Sequence, residues 1–157
     1  MKKIVALMLC VLVVMGLGAC SGDYKKKSKS DFHNDFVMDI KDTVPCTQLC
    51  NNKKFLKGDE CYVYDFTKEE VKTFSERIES SWDSLPFEPL EMKKIYETKD
   101  EDGKTLAEAG NFPLVTRGYW ITKTDKGMTE QFDLDGDFSL AILDIVNCKL
   151  YYFKRNA

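Results

Sequence analysis

Residues 66–86 read FTKEEVKTFSERIESSWDSLP. Apolar side chains recur at Val71, Phe74, Ile78, Trp82 and Leu85, three or four positions apart, which sets them on one narrow face of an α-helix. Thr67 is a good N-cap, and Glu70 three residues on completes a capping box. Pro86 lacks the N–H that a further turn would need. The spacing predicts a helix over about 68–84. A lone helix of that length is marginal in water, so its apolar stripe has to be buried against another element.

The flanking sequence supplies that element. Tyr62, Tyr64 and Phe66 alternate, as do Tyr151 and Phe153, with Tyr152 on the other side. One of these sets has to fill the core beneath the helix. Ile95-Tyr96 runs into the turn signal Asp100-Glu101-Asp102-Gly103. Leu114–Thr124 is rich in β-branched and aromatic residues and ends at Asp125-Lys126-Gly127. Met128–Leu134 alternates in part and meets Asp135-Gly136, a dipeptide suited to a tight hairpin. Phe138–Ile145 and Leu150–Lys154 follow, joined by Asn147-Cys148 with Lys149. Four or five short strands joined by short turns predict an antiparallel sheet with one amphipathic helix laid across it, an α+β domain. The alternative is a small β-barrel carrying one helix. No internal repeat is present.

The N-terminus sets the compartment. Met1-Lys2-Lys3 precedes an apolar run from Ile4 to Leu17 whose one polar atom is the Cys10 thiol. As a helix it spans roughly 21 Å, short of the ~30 Å hydrocarbon core, and fits a cleavable export signal better than a membrane span. Leu17-Gly18-Ala19-Cys20 closes the run and resembles the lipobox of bacterial lipoproteins. The resemblance covers only these first 20 residues. It implies a thioether-linked diacylglycerol on Cys20, cleavage between Ala19 and Cys20, and fatty acylation (palmitate) of the new terminus. Ser21 follows the cysteine, where some inner-membrane lipoproteins carry aspartate. The resemblance therefore favours an outer-membrane anchor, with the outer face of the cytoplasmic membrane as the alternative.

Three segments are expected: a signal peptide over 1–19, a lipidated flexible tether over 20–31, and one globular domain over 32–157. The tether reading rests on SGDYKKKSKS, which has one aromatic and no aliphatic residue and cannot bury a core. Its lysines suit either water or anionic headgroups. Removing Lys2 and Lys3 from the 23 basic residues leaves 21 against 26 acidic ones, a balance of −5. That argues against nucleic acid, which calls for a basic face.

Cys46, Cys50, Cys61 and Cys148 remain in the mature chain once Cys10 is removed and Cys20 lipidated. An even count in an exported protein favours two disulfides, with three connectivities open. Zinc is the rival, since Cys46 and Cys50 have ligand spacing, but Cys61 and Cys148 form no second close pair. The run FDLDGDFS (132–139) resembles a calcium loop only until it is aligned. With Gly136 at the invariant glycine, Gln131 and Ile142 fall where carboxylates are required. His33 is the single histidine and reads as a surface residue. Asp59-Glu60 and Glu69-Glu70 read as a turn and a helix first turn. No phosphate-binding glycine loop or HExxH motif is present. No catalytic residue, metal or cofactor is therefore assigned, and no enzyme activity is expected. The expected role is that of a lipid-anchored, extracytoplasmic protein-binding module facing an envelope partner, an inhibited enzyme or a toxin. The alternative is a small-ligand or carbohydrate binder.

Overall fold

Phe138–Asp144 (FSLAILD) is buried at every position, which a strand achieves only when both faces of its sheet are covered. The computed structural model describes residues 23–52, 58–100, 102–125, 127–129 and 136–157. The chain divides into two compact units between Asp39 and Ile40.

In the first unit the described residues form one helix, α1 (Asp23–Phe36). It runs through part of the stretch expected to be a tether. Composition weighed only core burial there, and local terms favour the helix. Lysine is a good helix former, Asp23 sits at the positive helix start, and Lys27 pairs with Asp31 at i,i+4 and 2.7 Å. The Phe32 and Phe36 rings lie 5.1 Å apart.

The second unit is α+β. Among the described residues its antiparallel sheet has seven strands: β1 (Cys46–Asn51), β2 (Gly58–Asp65), β3 (Asp83–Ser84), β4 (Gly118–Thr124), β5 (Gly127–Thr129), β6 (Phe138–Asp144) and β7 (Lys149–Asn156). The order is β1-β2-β7-β6-β4-β3, with β5 also on β4. The two short strands share the outer edge of β4, β3 at Tyr119–Trp120 and β5 at Thr122–Thr124. The two edges do not pair with each other, so the sheet is open and not the alternative barrel. Gly118 (φ +141°) allows β4 to approach β6, because a Cβ there would stand 1.7 Å from the Leu143 carbonyl oxygen.

Register separates the two faces. Cys61, Val63, Trp120, Leu140, Ile142, Tyr151 and Phe153 point to one side. They meet Phe87, Ile95, Leu106, Ala107, Phe112 and Val115 from the connection between β3 and β4. That connection holds three short helical pieces, α2 over Pro89–Met92, a π-turn over Lys93–Glu97, and α3 over Leu106–Gly110. A second capping box, Thr105 with Glu108, starts α3.

Tyr62, Tyr152, Ala141, Leu143, Leu150 and Ile121 face the other way. The long helix, α4 (Lys68–Ile78), which precedes α2 in the chain, packs beside β4. Its Val71, Phe74 and Ile78 are buried, and Phe74 meets Phe66 at 5.3 Å and Trp82 edge-on at 6.0 Å. Trp82 precedes Asp83, which is opposite Trp120, so alternation puts Trp82 on this second face. The capping box forms as expected: the Glu70 N–H donates to Thr67 Oγ1 at 3.2 Å and the Thr67 N–H to Glu70 Oε2 at 2.9 Å.

The helix is shorter than the 68–84 expected. Ser80 and Ser81 follow its end, and the Ser81 N–H and hydroxyl both turn back to the Ile78 carbonyl, at 2.8 and 3.3 Å. Serine competes in this way with helical bonding. Trp82 keeps its place on the stripe, but from a turn.

Candidate functional site

An enclosed charge pair is on the face covered by the β3–β4 connection. Asp59 on β2 and Arg155 on β7 are register partners. Arg155 donates Nε to Oδ1 and Nη2 to Oδ2 of Asp59, both at 2.8 Å, with the side chains only 14% and 13% exposed. The guanidinium lies 5.8 Å from the ring centroids of both Phe138 and Phe153. This fork is fully engaged, and it holds β2 to β7 as a charge-assisted bidentate pair. Asp59 and Glu60, read as a turn, lie inside β2.

Glu60 points to the opposite face and is buried. It accepts from the Tyr62 hydroxyl at 3.1 Å, and that hydroxyl accepts from Gln48 Nε2 at 3.3 Å. Lys154 stands opposite Glu60 in the register. Asp65 and Lys149 close the other end of the β2–β7 ladder as an ion pair. Buried Asp144 shapes the β6–β7 turn. Its Oδ1 accepts from the Val146 and Asn147 N–H groups at 3.0 Å each, and its Oδ2 from Asn147 Nδ2 at 2.7 Å.

An open cavity of about 530 Å³ lies over the β3–β4 connection, lined by Tyr96, Thr105, Ala107, Glu108, Asn111, Phe112 and Pro113. Most of its polar atoms already have intramolecular work. The Tyr96 hydroxyl donates to the Pro113 carbonyl at 3.1 Å and accepts from the Val115 N–H at 3.4 Å. Burial pushes this phenol up to about 12. Thr105 and Glu108 cap α3, and the cap bonds hold the Glu108 carboxyl below its usual range. Asn111 takes the left-handed conformation that ends the helix.

The cysteines that sequence singled out fall in two places. Cys50 and Cys61 are opposite each other on β1 and β2, Cys46 is opposite Tyr64, and Cys148 lies in the β6–β7 turn with φ +56°. None of the four is in a disulfide in the structure. His33 is half exposed and meets Asp39 at 2.8 Å. Among the described residues no group of three His, Cys, Asp or Glu side chains is arranged to hold a metal. Of the aspartates in FDLDGDFS, Asp133 and Asp135 lie outside the described residues, and Asp137 accepts from the Ala157 N–H at 2.6 Å. Leu17-Gly18-Ala19-Cys20 also lies outside the described residues. No described helix is long and apolar enough to cross a membrane.

Trp120 and Tyr119 face opposite sides of β4, Trp120 into the core. The large apolar side chains exposed among the described residues are Val37, Leu90, Leu114, Met128 and Val146, all of them aliphatic or methionine. None of the described aromatic residues is exposed. The signal that sequence reasoning passed over was Thr105-Leu106-Ala107-Glu108, a second N-cap motif of the same kind as the first.

Comparison with protein-family models, with characterised proteins and with solved structures finds no match to this chain.

Proposed function

We propose that the protein is a lipid-anchored extracytoplasmic binding module, held to a membrane through Cys20 and presenting the α+β body to a protein partner. The observation that carries this reading is the basic start, apolar run and Leu17-Gly18-Ala19-Cys20 box at the N-terminus. The body supports a binding role over a catalytic one, because Asp59, Arg155, Glu60 and Asp144 are committed to bonds that hold its strands and the β6–β7 turn. An open sheet also leaves β1 with one neighbour, and an edge of that kind can accept an added strand. The second reading, a small-ligand or carbohydrate binder, draws on the cavity at Tyr96 and Asn111. It is the weaker one, since few polar groups there are left to orient a ligand.

Cys20→Ala tests the anchor. The variant should leave the membrane fraction and lose incorporation of a fatty-acid analogue. A variant that stays in membranes and still carries the label would defeat the reading. Crosslinking in detergent-solubilised envelope should then trap a specific protein, whereas ligand binding alone would favour the second reading.

A further inference from the structure

We propose that Cys50 and Cys61 form a cross-strand disulfide in the mature protein, tying edge strand β1 to β2, while Cys46 and Cys148 stay as thiols. The proposal rests on the extracytoplasmic reading, because a cytosolic redox poise would keep the pair reduced. Its geometry does not rest on that reading.

Cys50 and Cys61 are direct partners in an antiparallel ladder. Residues so placed have Cα atoms about 4.5–5.5 Å apart, inside the window of about 4.4–6.8 Å that a disulfide needs. The same ladder excludes the other pairs. Cys46 is opposite Tyr64, three residues from Cys61, or about 10 Å along the strand at roughly 3.3 Å per residue. Cys46 and Cys50 are four apart on one strand, or about 13 Å. Cys61 is opposite Phe153, five residues from Cys148. Asp65 separates Cys46 from Cys148: its N–H donates to the Pro45 carbonyl on one side, and it stands opposite Lys149 on the other. That puts the two cysteines two strand spacings apart, about 9.6 Å, beyond the ~7 Å limit for bridging without backbone movement.

The bridge has a place in the fold. The β1–β2 register shifts between Gln48 and Cys50, and a bulged edge strand with one neighbour has its register weakly fixed beyond the bulge. A bond at Cys50 fixes it there.

The chemistry is thiol–disulfide exchange with a protein disulfide oxidant of the envelope. One cysteine loses its proton and attacks the oxidant's disulfide, forming a mixed disulfide and releasing one oxidant thiolate. The second cysteine, deprotonated in turn, attacks the protein sulfur of the mixed disulfide. The Cys50–Cys61 bond forms, the second oxidant thiolate leaves, and the two electrons lost by the pair reduce the oxidant to a dithiol. Burial, with Asp59 nearby, pushes the folded Cys50 thiol up to about 11, and burial raises Cys61 well above its ordinary value. Thiolate is then scarce at neutral pH, so the exchange belongs before the hairpin closes.

The test is peptide mapping without reduction on the full chain, alkylated while denatured straight from its native compartment. Trypsin cuts after Lys41, Lys53, Lys57 and Lys68, so the bridge joins peptide 42–53 to peptide 58–68. Because 42–53 also carries Cys46, the map is repeated on Cys46→Ser and Cys50→Ser. The link should survive the first change and vanish in the second, with Cys148 alkylated throughout. The same chain, reduced and then reoxidised with oxidised glutathione, should form the same link. A different pair on reoxidation, or a Cys46–Cys148 bridge in either sample, overturns the register argument. If reoxidation gives the Cys50–Cys61 link but native protein has both thiols alkylated, the proposal fails through the compartment, and the extracytoplasmic reading fails with it.

Discussion

Arg155 shows what one residue contributes that a charge count does not. Its fork matches the Asp59 carboxylate bond for bond, and its flat face lies against Phe138 and Phe153. A lysine keeps the charge but loses the second parallel bond and the stacking. Arg155→Lys should therefore lower unfolding free energy by about 1.5–3 kcal/mol, the range for a hydrogen bond to a charged group, read from urea midpoints. An unchanged midpoint would mean that the pair is no more than a surface contact. The tyrosines give a pH test. Burial pushes Tyr96 up to about 12, and burial with Asp144 and Asp65 does the same to Tyr151, against about 10 when unfolded. Well below pH 10 both phenols are neutral whether the chain is folded or unfolded, so these groups add no pH dependence there. Between about 10 and 12 the unfolded chain releases protons that the folded chain keeps, so stability should fall as pH rises through that window. Tyrosinate absorbance of the native protein should lag that of denatured protein over the same range.

At the scale of elements, α4 was legible because its evidence is local. The Thr67–Glu70 box and the 3–4 spacing of Val71, Phe74 and Ile78 name a helix without reference to the rest of the chain. Its end was not legible, because Trp82 continues the spacing after the backbone has left the helix. The same box at Thr105–Glu108 opens only five residues of helix, too few for periodicity to mark. Phe74 is 5% exposed, and Phe74→Ala should cost about 3–5 kcal/mol, a large part of a typical total of about 5–15. Thr67→Ala should cost nearer 1 kcal/mol, through loss of the cap. Thermal melts of both variants beside the parent chain test the order. An unshifted melting temperature for Phe74→Ala would make the stripe a binding face instead of core.

For the body formed by residues 40–157, the α+β class and the antiparallel strands were readable from alternation and turn residues. The layering was not. A strand covered on both sides looks apolar throughout, as Phe138–Asp144 does, and its own sequence does not say what covers it. The second cover comes from 87–115, whose apolar residues Phe87, Ile95, Leu106, Phe112 and Val115 are too widely spaced to define one helix. The four cysteines were likewise visible as a set, while their pairing geometry needed the β1–β2 register. The layered arrangement makes a further claim that can be measured. Phe74 belongs to the layer beside β4, and Phe112 lies in the opposite cluster, in ring contact with Tyr96, Tyr151 and Phe153 at 6.2–6.3 Å. Packed layers stand about 10 Å apart, so the two rings share no partner and their effects should add. Phe74→Leu and Phe112→Leu are mild enough, at up to about 1.5 kcal/mol each, to leave the fold intact. The double variant should lose the sum of the two within about 0.5 kcal/mol, in one transition seen alike by near- and far-ultraviolet circular dichroism. A coupling above about 1 kcal/mol would mean that the sheet transmits a shift from one face to the other, and two separate transitions would mean that its covers melt independently.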